Sequence, residues 1–206
     1  MTNENVLWGW LERWRSLAFL VAGSCFLLIG VNYGTRVTAN TGMDVPPWIV
    51  QLLMLLVFAG LLGLSPRLYS RAPKLTRLGQ VLALVIGAEI VLPIGIALAT
   101  PISVQQSIYA VIIVVFMIGS ALTVTIFGIA CLWTGAYSRP VGGFLLLAVV
   151  GVSTAIVSRI LFGDPGPEVI GIVVNGIFGT SMIGVGYVLR TEESPTEPAE
   201  PTETVA

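Results

Sequence analysis

The chain has 206 residues, of which 55% are hydrophobic and 10% charged; its net charge is −1 and it contains no histidine. Its mean hydropathy is +0.93, while soluble domains carry about 25% charged residues, so one soluble core is excluded and a bilayer is the expected solvent. The charge balance gives no basic surface for nucleic acid, and the missing imidazoles exclude histidine metal or haem ligands and every scheme with a histidine base. Two cysteines are too few for a zinc cluster.

In chain order, NVLWGWLERWRSLAF opens the sequence. Leu7, Leu11, Trp14 and Ala18 share one helical face, and Trp8, Trp10 and Trp14 suit the headgroup level. A short interfacial helix leading into the first span is expected, as an anchor or a lipid-recognition element. A cleavable signal is not: the apolar run continues as a full span, with no small-residue cleavage site.

A membrane-crossing helix needs roughly 17–25 apolar residues. Six segments qualify, at 17–34, 48–64, 78–99, 107–133, 141–162 and 169–189, which predicts an all-α bundle of six spans over residues 1–190. Arg13, Arg15, Arg67, Arg71, Lys74, Arg77, Arg139 and Arg190 fall on one side of this topology, and only Arg36 and Arg159 on the other. Cytoplasmic loops concentrate Lys and Arg, so both termini are expected in the cytoplasm. The outer loops TGMDVPPW and FGDPGPEV each set prolines ahead of a span, where a missing N–H costs nothing.

RLYSRAP at 67–73 is echoed by GAYSRP at 135–140, an offset of 68 residues that also aligns Gly60 with Gly128. A duplicated two-helix unit explains the echo. So does the general need of an inner helix end for an aromatic and a cation.

The third segment contains GAEIVLPIG. A charge at the bilayer centre costs about 2.5 kcal/mol or more. Pro93 has no N–H, so the carbonyl of Glu89, four residues earlier, loses its helical partner. A carboxyl and a freed carbonyl therefore coincide, where they could coordinate a cation or hold a water. The alternative is a protonated carboxyl bonded to a neighbouring helix beside a packing kink. By helical rise, Glu89 sits near the midplane, Asn175 roughly 6 Å and Arg159 roughly 10 Å nearer the outer face, and Gln51 further out. Glu89, Pro93, Asn175, Arg159 and Gln51 form the candidate intramembrane polar site. Arg159 could instead snorkel to the outer headgroups.

Gly79, Ala83, Gly87, Gly95 and Ala99 make one small-residue stripe, and Gly176, Thr180 and Gly184 another. Both are expected to admit close helix neighbours, with the third span central to the bundle. Ser120, Thr123, Thr125, Ser153, Thr154 and Ser158 are expected as interhelical hydrogen-bond formers. Cys25 and Cys131 differ in depth by roughly 10 Å, beyond disulfide reach. Residues 191–206, TEESPTEPAEPTETVA, hold five Glu and three Pro and are expected to be a disordered acidic tail.

Nine Arg against one Lys, the Pro-rich loop FGDPGPEV, the terminal GYVLR and the Glu/Thr/Pro tail give the chain the style of a known group. It resembles small multi-pass integral membrane proteins of archaea, particularly halophilic ones, that carry no assigned activity. The resemblance implies no catalytic residues. The expected role is non-enzymatic: an accessory or interaction subunit in the cell membrane, with no cofactor or metal, partnered by the bilayer and by a second copy or another membrane subunit. The alternative is a small-solute or ion transporter, or a proton-coupled component, using Glu89.

Overall fold

The computed structural model describes residues 3–43, 45, 47–89, 102–162 and 167–193. These form six α-helices: α1 (Asn3–Ala39), α2 (Pro47–Tyr69), α3 (Pro73–Glu89), α4 (Ile102–Thr134), α5 (Arg139–Phe162) and α6 (Pro167–Glu193). No strand occurs among the described residues. Among the described residues, four helices are long and apolar enough to cross a membrane, over Trp8–Ala39, Ile49–Tyr69, Val114–Thr134 and Glu168–Glu192.

Local sequence explains the boundaries. Proline opens α2, α3 and α6, where its fixed φ favours the first turn. Gly135 breaks the chain after α4 with a φ of +56°, a left-handed conformation that glycine adopts without a Cβ penalty. The side-chain amide of Asn32 ties the α1–α2 loop down. It donates to the carbonyl of Met43 at 2.9 Å and accepts from the Met43 N–H at 3.0 Å.

No separate interfacial helix occurs among the described residues. Residues 3–39 are one helix of 37 residues, about 55 Å at 1.5 Å per residue, so α1 outreaches a hydrocarbon core of about 30 Å. Between Trp10 and Ala22 there is no Gly or Pro to interrupt it. Its amino-terminal half also has a partner, because α2 continues past the expected end at 64 to Tyr69. α6 likewise continues to Glu193, three residues into the expected tail; residues 194–206 lie outside the described residues.

Each helix packs on its neighbours in chain order, and α6 closes the circle on α1 with the most extensive contact in the molecule. Glycines set the closeness of that contact. A methyl at Gly23 would lie 2.7 Å from the Gly179 carbonyl oxygen, and one at Gly179 would lie 2.8 Å from the Gly23 carbonyl oxygen. The stripe expected on Gly176, Thr180 and Gly184 is therefore not the seam. Thr180 is exposed, Gly184 abuts the Phe144 ring, and a methyl at Gly176 would meet nothing within 4 Å.

α3 departs from expectation too. It packs on two sides, against α2 and α4, but α2 and α4 also touch each other behind it. Over its described length α3 lies outside that seam rather than at the centre. Thr76, Gly79, Ala83 and Ile86 face inward, and Leu78, Val81, Leu84 and Val85 face outward, an exposure that lipid tolerates. Phe19, Leu61, Leu64, Phe127, Leu145 and Met182 are among the side chains that fill the core between the other five helices.

Candidate functional site

A cavity of about 340 Å³ opens between α1, α2, α4, α5 and α6. Small-molecule sites occupy roughly 300–1,000 Å³ and are mostly apolar with a few placed polar groups. The wall is of that kind. Phe26, Met54, Phe116, Met117, Val149 and Phe178 supply apolar surface, and Tyr33, Ser120 and Asn175 supply the polar groups. Phe26 and Phe178 meet edge to face at 4.9 Å between centroids.

Of the residues singled out from sequence, Asn175 lines this cavity. Its amide nitrogen donates to the Gly171 carbonyl oxygen, one turn earlier in α6, at 2.6 Å. Glu89 and Gln51 are not among the described lining residues. Glu89 ends the described part of α3 and is half-buried. Its Oε2 is enclosed and has no hydrogen-bond partner among the described residues. Pro93 lies outside the described residues, as do the side chains of Arg159 and Ser158. The structure therefore brings none of the described candidates into a common hydrogen-bonded group.

The hydroxyls expected between helices turn back on their own. Thr123, Thr125 and Thr154 donate to the carbonyls of Gly119, Ala121 and Val150, at 2.7–2.8 Å. The carbonyl four residues earlier is always within reach of a helical hydroxyl. Ser120 does not: its Oγ is enclosed at the cavity wall without a partner among the described residues. Cys25 and Cys131 are free thiols. No group of three or more Cys, Asp or Glu able to hold a metal stands among the described residues.

A second polar constellation, absent from the sequence reading, ties the opposite end of the bundle. Arg15 is 1% exposed. Its guanidinium donates to the Tyr137 hydroxyl at 2.8 Å and pairs with Glu12 at 3.2 Å. The Tyr137 hydroxyl in turn donates to the Leu64 carbonyl at 3.2 Å. Arg67 donates to the same Glu12 oxygen at 3.1 Å, and both guanidinium groups lie over the Tyr137 ring, at 5.1 and 5.6 Å. Two helices, α1 and α2, thus meet on one phenol carried by the α4–α5 loop. Burial pushes that phenol up, against the pull of Arg15 and Arg67.

Gly63 makes this arrangement possible. A methyl there would sit 2.6 Å from the Leu11 carbonyl oxygen and 2.8 Å from Cβ of Arg15. Nearby, Arg71 donates to the carbonyls of Thr134 and Gly135 at 2.7 and 2.8 Å, and Glu192 accepts from the Ser138 N–H at 3.0 Å. The sequence signal for the cluster was Glu12 three residues before Arg15, inside an otherwise apolar face.

The searches made against protein-family models, curated protein sequences and solved structures find no match to this chain.

Proposed function

We propose that this chain is a six-span, non-enzymatic protein of the cell membrane with both termini in the cytoplasm. In this reading it is an accessory or interaction subunit, of the kind the halophilic archaeal resemblance suggests. Its role is binding: the cavity between α1, α2, α4, α5 and α6 takes an elongated apolar molecule carrying one hydrogen-bonding group. The observation that carries the reading is the Ser120 hydroxyl, without a partner among the described residues, in a cavity walled mostly by Phe, Met, Val and Ile. An enclosed hydroxyl without a partner costs about 1–3 kcal/mol, and a ligand with one polar end relieves that cost while filling the apolar volume.

Photolabelling tests the binding role. A diazirine analogue of dodecanol should mark Met54, Met117 and Val149, and competition by plain dodecanol should remove those marks. Labelling confined to outward residues such as Leu84 and Val150 would reject a bound ligand. Topology has its own test. Single cysteines at Ser70 and Ser138, on a Cys25→Ser, Cys131→Ala background, should react only with reagents that enter the cytoplasm, and one at Thr41 should react from outside.

A second reading, transport of a small ion or solute, draws support from Glu89. Its enclosed oxygen without a partner lies four residues before Pro93, and intramembrane acids mark ion and proton paths. Glu89→Gln keeps the shape without the charge. Under this reading the Gln variant folds normally and loses pH-dependent flux in reconstituted vesicles. Absence of such flux from the wild type, across pH, would remove it.

A further inference from the structure

On the outside of the bundle, α1 and α2 leave a shallow apolar groove of about 240 Å³ between Trp10, Trp14, Leu17, Val21, Leu56 and Ala59. Trp10 and Trp14 are half-exposed, with their rings 6.1 Å apart. At its end the groove meets a second pocket, lined by Gly9, Glu12, Arg13, Arg15 and Arg67, and Arg15 borders both. Among the described residues, three guanidinium groups here face one carboxylate. Glu12 is already shared by Arg15 and Arg67, and Arg13 is exposed with no ion pair among the described residues. Among these groups positive charge exceeds negative, directly beside an apolar slot and a pair of tryptophans.

We propose that this α1–α2 surface is a binding site for one anionic phospholipid. Its chain lies in the groove along Trp14, Leu17, Val21 and Leu56, and its phosphate lies on Arg13 and Arg67. Each feature answers a part of that ligand. The groove is apolar along the length that a chain would follow. Tryptophan prefers the level at which headgroup and chain join. Guanidinium groups hold phosphate through paired N–H donors, and Gly9, beside which a methyl would meet nothing within 4 Å, leaves the headgroup room. The excess of arginine over carboxylate selects an anionic headgroup over a zwitterionic one. The site is separate from the cavity described above and stands whatever that cavity holds.

Native mass spectrometry of the full chain, from nanodiscs of equimolar phosphatidylglycerol and phosphatidylcholine, tests the proposal. Wild type should retain one phosphatidylglycerol in preference to phosphatidylcholine. Arg13→Gln removes an exposed cation without touching the packing. It should weaken that preference about fivefold, the effect of one arginine at an anionic surface, and Arg13→Gln with Arg67→Gln should abolish it. Ala59→Trp, which fills the groove, should reduce retention of either lipid. Lys74→Gln, a cation elsewhere on the same side, should change nothing. Millimolar inorganic phosphate should not displace the lipid; displacement would indicate a free-anion site. Equal retention of the two lipids, or a preference that survives both arginine changes, would overturn the proposal.

Discussion

The two ends of this bundle solve opposite problems. At the end held by Arg15, Glu12, Arg67 and Tyr137, polar groups are gathered and closely packed. Gly63 lets α1 and α2 approach until backbone touches side chain, and one phenol from the α4–α5 loop is tied to both of them. At the other end the helices enclose about 340 Å³ of empty space. The difference teaches where stability and binding capacity reside. A chain that mostly faces lipid gains little from burying apolar surface between helices. Close packing and polar ties must carry its specificity, and concentrating them at one end leaves the other free to hold a ligand.

The contrast breaks most severely at Arg15. Arg15→Ala removes a buried stem and takes one of two partners from Glu12 and from the Tyr137 hydroxyl, and should cost about 3 kcal/mol. Glu12 keeps some access to water, which limits its share. Denaturant unfolding in detergent measures the loss; a change below about 1 kcal/mol would mean that the tied end carries little stability.

Two alanine substitutions sharpen the same point. Gly63→Ala forces a methyl against the Leu11 carbonyl and should cost about 2 kcal/mol by overpacking. Gly176→Ala meets open space and should gain up to about 1 kcal/mol from helix propensity. Equal effects would contradict the packing contrast.

The smallest effect separates the two echoed tyrosines. Tyr137 is 3% exposed and bridges Arg15 to Leu64, while Tyr69 is 39% exposed and takes Arg77 at its hydroxyl and over its ring. Tyr137→Phe should cost about 1 kcal/mol, and Tyr69→Phe less than about 0.5 kcal/mol. The pH dependence follows from the raised Tyr137 phenol. The folded state favours its neutral form. This contribution is fully present below the ordinary tyrosine value of about 10 and is lost as pH rises through the higher folded value. Wild type should therefore lose stability above about pH 10, and Tyr137→Phe should lose less over the same interval.

Much of the helical plan was legible, because apolar length and proline position are local properties. α2, α5 and α6 begin within two residues of the segments read from sequence. The unbroken α1 was missed because its amino-terminal half looks interfacial until α2 is known to run alongside it to Tyr69. Over its described residues α3 does not take the central place given to the third span, for a related reason: small residues show that a neighbour can come close, not which neighbour does. Asn175 was found as an isolated polar residue in an apolar run. Ser120 was seen as one hydroxyl among several, since only the fold shows which hydroxyl lacks its own helix's carbonyl. The Arg15–Tyr137 bond spans 122 positions, and neither residue carries a local mark of its partner.

The hollow end is tested most directly by native mass spectrometry of the detergent-solubilised chain with added dodecanol, on wild type, Ala121→Phe and Tyr137→Phe. Ala121 lines the cavity, while Tyr137 belongs to the tied end. Wild type and Tyr137→Phe should each retain one alcohol molecule, and Ala121→Phe, folded by its unfolding midpoint, should retain none. Retention unchanged in Ala121→Phe, or no retention by wild type, would contradict the account of this cavity as a binding site.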